Sequence, residues 1–182
     1  MKIILASNSP RRRELLSSNG VNFTVIPSDF EESENESLSP ENYVEFLAHG
    51  KAKSVFEKHG GTVIGADTVV VLDGKILGKP KDYQDAVSML TALSNKTHEV
   101  ITGYAVISDN KTVVGHEKTF VTFNELPLNL IINYVNGGSP MDKAGAYGIQ
   151  DNFPLVKSIV GDYDNVVGLP TKKILKILSE LE

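Results

Sequence analysis

The chain has 182 residues, 41% of them hydrophobic and 23% charged, which suits one α/β domain with a sizeable core. Its net charge of −5 argues against a bulk nucleic-acid binder, although a local basic cluster can still hold a small anion. It contains no cysteine, which excludes disulfides, thiolate metal sites and a cysteine nucleophile, and its four histidines show no zinc-ligand spacing.

Ile3-Ile4-Leu5 opens as an apolar strand, and Pro10 suits the first position of the helix after it. Asn19-Gly20 stops that helix, and Phe23 to Ile26 reads as a short strand. The stretch from Pro27 to Pro40, with Asp29, Glu31, Glu32, Glu34 and Glu36, is expected to be an exposed acidic loop. Ser39-Pro40 then caps a helix to about Lys58, with Tyr43, Val44, Phe46, Leu47, Val55 and Phe56 on its apolar side. Val63 to Leu72 is a buried strand that Asp73-Gly74 turns into Lys75-Ile76-Leu77. Asp82 caps a helix from Tyr83 to Leu93. Glu99 to Ile107 and Thr112 to Phe123 form a long hairpin around Asp109-Asn110. Leu128 to Val135 is a short helix, Asp142 to Gln150 a Gly-rich loop, Leu155 to Val160 a strand, and Pro170 opens a terminal helix. Strands and helices alternate but hairpins interrupt a parallel pattern, so the expected fold is a mixed, twisted sheet flanked by helices. No linker composition marks a boundary, and residues 1–182 read as a single domain. No apolar run nears the ~20 residues that span a bilayer, and Met1 leads straight into a strand. A cytoplasmic protein with no membrane partner is expected.

Four segments carry chemistry. In Ser7-Asn8-Ser9-Pro10-Arg11-Arg12-Arg13, a strand passes through small residues into a helix N-terminus, whose free N–H groups attract anions. Ser7 and Ser9 add hydroxyl donors, and Arg11 and Arg12 add forked donors that match phosphate oxygens. Positive charge at that end opposes the helix dipole, so a merely solvated basic turn leaves the arginines unexplained. In Gly65-Ala66-Asp67-Thr68, an aspartate inside an apolar strand needs a cation, a metal or hydrogen bonds to compensate lost hydration. Asp67 is either a metal ligand or general base, or a strand aspartate satisfied by neighbouring N–H groups. Gly65 and Ala66 leave the backbone uncovered for a ligand. In Gly78-Lys79-Pro80, a rigid turn presents Lys79, which would otherwise pass for a surface lysine. In Asp142 to Gln150, small residues at 144, 145, 146 and 148 admit a flat ligand, Tyr147 can stack or pack, and Gln150 can both donate to and accept from a base edge. Taken singly, Lys51, Glu31 and Glu32 look like parts of a solvated face.

In order along the chain, Ala6 to Arg12 with Glu14-Leu15-Leu16, Gly65 to Val69, Leu77 to Pro80, Asp142 to Gln150 and Val167-Gly168-Leu169-Pro170 resemble the Maf family of nucleoside triphosphate pyrophosphatases over essentially the whole length. Arg11, Arg12, Thr68 and Gln150 match the branch that acts on dTTP and UTP, whereas the 7-methyl-GTP branch differs at those positions. The resemblance implies a two-lobed fold with a central nucleotide cleft. It implies Asp67 as proton acceptor and Arg11, Thr68 and Gln150 as specificity positions. Ser7, Arg12, Lys51 and Lys79 match polar positions along the nucleotide, and Glu31 or Glu32 matches an acid near the metal, with Glu32 the metal ligand alongside Asp67. Asp151 stands where glycine is common and adds negative charge beside the base pocket.

The resemblance also implies the reaction: hydrolysis of a pyrimidine nucleoside triphosphate between the α and β phosphates, helped by Mg²⁺ or Mn²⁺, in an enzyme that forms homodimers. The rival is a non-catalytic nucleotide-binding regulator of septum formation. Asp67 discriminates them, since a pure binder has no need of a carboxylate that repels a polyanion. Single-stranded nucleic-acid binding is disfavoured by the acidic total and the 7% aromatic content.

Overall fold

The computed structural model describes residues 1–33 and 37–181, so Glu34 and Glu36 of the acidic segment lie outside the described residues. The strands are β1 (Ile3–Leu5), β2 (Thr24–Val25), β3 (Thr62–Leu72), β4 (Lys75–Leu77), β5 (Thr97–Ile107), β6 (Thr112–Phe123) and β7 (Val156–Val160). The helices are α1 (Pro10–Ser18), α2 (Pro40–His59), α3 (Tyr83–Leu93), α4 (Leu128–Asn136), α5 (Tyr163–Val167) and α6 (Thr171–Ser179). The strands form one mixed sheet in the order β2-β1-β3-β5-β6-β7, with β4 paired to β3. β1 runs parallel to β2 and β3, whereas β3–β4 and β6–β7 are antiparallel. Among the described residues no helix is long and apolar enough to cross a membrane.

Local chemistry sets most boundaries. Ser9 and Ser39 accept hydrogen bonds from the Arg12 and Asn42 amides, and each is succeeded by a proline in the first helical turn. Asp82 caps α3 through the Asp85 amide. Asp73 and Gly74 both adopt positive φ, as a two-residue I′ hairpin requires. The five-residue α5 is too short to show a helical period, and the sequence pattern does not reveal it. A 3-10 turn, Ser139–Asp142, leads into the Gly-rich segment, which contains a second, Ala144–Ala146.

The chain divides into two compact units, and β3, β5 and β6 each run through both. The first unit comprises Met1–Thr68, Thr102–Glu117 and Gly168–Glu182. Leu5, Leu16, Ile64, Leu169 and Ile174 form one of its cores, and Ile4, Ala48, Ala52, Val55 and Val63 the other. Its α2 lies directly on the strands. A Cβ on Gly65 would come within 2.3 Å of the Ala48 carbonyl oxygen, and one on Gly103 within 2.2 Å of that of Val44. Gly65 therefore makes room for a helix backbone, not for a ligand as the sequence suggested. The buried side of α2 is Val44, Leu47, Ala48, Ala52 and Val55, and Phe46, expected there, is 43% exposed and packs edge-on with Phe30. Ala48 and Ala52 meet Gly65 on that face because small residues on both sides allow so close an approach.

The second unit comprises Val69–Ile101 and Lys118–Val167. Leu90, Leu93, Phe123, Ile131 and Leu155 anchor its core. Tyr147 belongs to it: the ring is buried, meets Phe123 and His98 edge-on, and its hydroxyl lies 2.7 Å from His98 Nε2. Packing, not ligand stacking, is its role in the fold. Desolvation by burial lowers the His98 pKa to about 4, so the imidazole is neutral at ordinary pH.

Candidate functional site

The parallel pairing of Leu5 with Ile64 brings the turn after β1 level with Asp67 and Thr68 in the middle of β3. Successive strand residues project to opposite faces, so Asp67 shares a face with Gly65, and Thr68 takes the other face with Ala66. These two neighbours accordingly enter two different clusters.

On the α2 face, Lys51 comes three residues after Ala48 and directly precedes Ala52, the two residues that abut Gly65. That placement carries its ammonium to Asp67. Lys51 Nζ lies 2.7 Å from Asp67 Oδ1 and 2.7 Å from Glu32 Oε1. The Lys51 and Asp67 side chains are 13% and 15% exposed, against 53% for Glu32. Lys51 is thus not a solvated-face lysine. The cation needed to compensate an aspartate inside an apolar strand comes from α2, and the acidic loop supplies a second carboxylate to the same ammonium.

On the other face, the Arg12 guanidinium is held at three points. Nε donates to the Gly168 carbonyl at 2.7 Å, one terminal nitrogen to Thr68 Oγ1 at 3.1 Å, and the other to Ser7 Oγ at 3.4 Å. Thr68 Oγ1 is also 2.9 Å from the hydroxyl of Thr102, a fully buried residue of β5. Ser7 Oγ further accepts from the Ser9 amide, which ties the turn to the guanidinium. Desolvation lowers the Arg12 pKa, Asp67 raises it, Arg11 lowers it by like charge and Glu32 raises it. A guanidinium stripped of water beside a second arginine gains most from an arriving anion.

Lys79 and Gln150 belong to the second unit and are both exposed. The Gly145 amide donates to the Gly78 carbonyl at 3.0 Å, so the Gly-rich segment is joined to the turn that carries Lys79. Asp151 does not add a bare charge near Gln150. Its Oδ2 accepts from Tyr134 Oη at 2.6 Å and Ser139 Oγ at 2.8 Å, with Lys143 Nζ at 3.9 Å. Lys143 itself is buried, which explains why a second carboxylate beside Asp142 is accommodated there. The glycines among the small residues serve packing: a Cβ on Gly145 would meet Val70 at 2.8 Å, and one on Gly148 would meet Lys143 at 2.7 Å.

Of the residues singled out in the sequence, the structure joins Glu32, Lys51 and Asp67 in one cluster and Ser7, Arg12 and Thr68 in another. Thr102, not singled out in the sequence, and the Gly168 carbonyl, present there only as part of the Val167–Pro170 motif, complete the second cluster. Thr102 had a usable signal, since it is a polar residue in an apolar strand, as Asp67 is. Among the described residues no group of three or more His, Asp or Glu side chains could hold a metal by itself. Two carboxylates sharing one ammonium do fit a hard divalent cation that draws its remaining oxygens from phosphates and water.

The family model described as "Maf-like protein" matches residues 2–181. A protein of Thermococcus gammatolerans named dTTP/UTP pyrophosphatase is 51% identical, over 96% of this chain and 94% of its own. Proteins of the same name from Bacillus pumilus and Thermosipho africanus are 48% and 50% identical, over 97% and 98% of this chain and 95% and 92% of theirs. Among solved structures, a HAM1 protein from Coxiella burnetii is similar in fold, with a TM-score of 0.53 at 16% identity over 99% of both chains. The Staphylococcus aureus Ham1 protein has a TM-score of 0.52 at 16% identity, over 86% of this chain and 80% of that one.

Proposed function

The chain belongs to the Maf-like protein family, and from that membership we infer that it is a pyrophosphatase that hydrolyses dTTP and UTP to the monophosphate and pyrophosphate. The observation that carries the catalytic reading is Asp67, a carboxylate on a buried strand held by Lys51 and coupled electrostatically to Arg12. A site meant only to bind a polyanion would gain from removing that carboxylate; a hydrolase needs it.

In this reading Asp67 positions the attacking water and takes its proton, as general-base work requires. Arg12 is already oriented by Gly168, Thr68 and Ser7, so it meets the phosphate charge without reorganising. Lys51 and Lys79 stabilise the charge that develops on the pyrophosphate leaving group. Gln150 reads the O–N–O edge of uracil or thymine, because its amide donates and accepts at once. Thr68 and Arg11 restrict that choice. Glu32 and Asp67 would hold a divalent cation, Mg²⁺ or Mn²⁺, which would supply charge neutralisation at the phosphates. The roles of Lys79, Gln150 and Arg11 rest on their motif matches.

Product analysis of a nucleotide panel with added Mg²⁺ or Mn²⁺ tests the reading. Release of pyrophosphate with UMP and dTMP, above release from ATP and GTP, is expected. Orthophosphate with nucleoside diphosphate, or no turnover of any nucleotide, would overturn it.

A further inference from the structure

One ammonium makes two equivalent contacts: Lys51 Nζ is 2.7 Å from Glu32 and 2.7 Å from Asp67. The two acids come from different places, Asp67 from a buried strand and Glu32 from a loop with more than half its side chain exposed. Lys51 is the residue through which Glu32 is brought to Asp67. An ammonium carries three donors, two of which are spent here. We propose that Lys51 is a built-in counter-ion that holds Glu32 and Asp67 together in the free protein, then gives up both carboxylates to a divalent cation and turns its ammonium to the substrate phosphates. The proposal rests on the proposed function, in which those two acids hold the cation.

The physical argument is competition. Lys51 and a divalent cation cannot share the same carboxylate oxygens without placing like charges side by side in a partly buried setting, where screening is weak. Lys51 therefore weakens cation binding to the free protein. The protein has little with which to offset this, since no third acidic or histidine ligand accompanies the pair among the described residues. A triphosphate changes the balance twice over, by supplying oxygens to the cation and a new anionic partner to the released ammonium. Cation and nucleotide then favour each other's binding, and by linkage they do so by the same factor. The Lys51 side chain suits the exchange: its helix is fixed against β3 by the Ala48 and Ala52 contacts with Gly65, while its four-carbon stem is free to redirect the charge. A lysine that only paired with Asp67 would compete with the cation at that one carboxylate, and the gain on its removal would not depend on Glu32.

The test is Mn²⁺ binding to the full chain without nucleotide, monitored by the paramagnetic resonance of free Mn²⁺, for the wild type, Lys51→Met and Lys51→Gln. Both variants are expected to bind Mn²⁺ about tenfold tighter or more than the wild type, and adding Glu32→Gln to Lys51→Met should abolish the gain. A change below about threefold in both variants, or a gain that survives the addition of Glu32→Gln to Lys51→Met, overturns the proposal. Because no nucleotide is present, failure of the chain to hydrolyse dTTP or UTP would defeat the functional reading and leave this measurement untouched.

Discussion

Arg12 donates through Nε to the carbonyl of Gly168 at 2.7 Å, a hydrogen bond that ties the first helix to the Val167–Pro170 motif 156 residues away. Gly168 presents that carbonyl with φ at +137°, a conformation other residues rarely adopt. A Cβ there would lie 3.5 Å from Arg12 Nε and 3.7 Å from Thr68 Oγ1, which are ordinary contacts. The cost of Gly168→Ala is therefore backbone strain, of about 1–3 kcal/mol. Urea unfolding should show that loss, and kcat/KM for dTTP and UTP should fall because Arg12 loses its anchor. Unchanged stability together with unchanged kcat/KM would mean that the guanidinium is held by Thr68 and Ser7 alone.

Asp67→Asn keeps the shape of the side chain and removes its charge and basicity. Turnover of dTTP should fall by roughly a hundredfold or more, the usual contribution of a general base. The melting transition should stay cooperative, and nucleotide affinity without added divalent cation should hold or tighten, because a charge facing the phosphates is gone. Wild-type turnover in the variant would remove Asp67 from the chemistry.

The strand and helix boundaries were legible because turn and cap residues stand at them: Pro10, Ser39, Asp82, Asp73 and Gly74 each act as the sequence indicates, whereas Ser9, read as an anion donor, caps α1. Asp67 was legible because a charge within an apolar run must be compensated. Its pairing with Lys51 was not. Beyond the motif match that names it, Lys51 resembles any other lysine of α2 until the packing of that helix against Gly65 fixes where it points. Glycine misled in the opposite sense. A missing side chain reads the same whether a ligand or a helix backbone fills the space, and at Gly65 and Gly103 it is the helix. Asp151 illustrates the remaining gap, since Tyr134, Ser139 and Lys143 meet it only in three dimensions.

Gly65→Ala separates the two meanings of that glycine. Its Cβ would lie 2.3 Å from the Ala48 carbonyl oxygen and 2.8 Å from the Ala52 nitrogen, both backbone atoms that cannot step aside singly. Overpacking of this kind costs about 1–3 kcal/mol or more, so the melting temperature should drop sharply. A variant of native stability with impaired nucleotide binding would instead restore Gly65 as a ligand-approach residue.

His98 gives the second unit a pH-dependent stability. Its folded pKa is about 4, below the ordinary 6.5, because burial disfavours the imidazolium. Between those values the unfolded chain binds a proton that the folded chain does not, so stability rises with pH across this window. Acidification from about pH 6.5 to about pH 4 should therefore remove up to about 3 kcal/mol, with no further loss from this group below pH 4. His98→Gln retains a partner for the Tyr147 hydroxyl and abolishes the titration. Chemical denaturation across pH 4 to 7 should show a shallower slope in the variant; equal slopes would place the proton elsewhere.

Gln150→Glu tests which base edge the protein reads. Gln150 is exposed on the segment that the Gly145–Gly78 hydrogen bond joins to the Lys79 turn, and its amide offers both a donor and an acceptor. Uracil and thymine present an acceptor, a donor and a second acceptor in sequence, which an amide can match and an ionised carboxylate, lacking a donor, cannot. A site that hydrogen-bonds one edge rejects mismatched edges because its own polar groups are left unpaired. Gln150→Glu should therefore lower kcat/KM for UTP and dTTP by about tenfold or more and relatively favour GTP and 7-methyl-GTP, whose edges are rich in donors. Asp151 should not blunt the effect, because Tyr134, Ser139 and Lys143 already engage its charge. The measurement is kcat/KM for UTP, dTTP, CTP, GTP and 7-methyl-GTP on both proteins. An unchanged ranking in the variant would show that base choice lies with Thr68 and Arg11, and that the Gln150 amide does not touch the base.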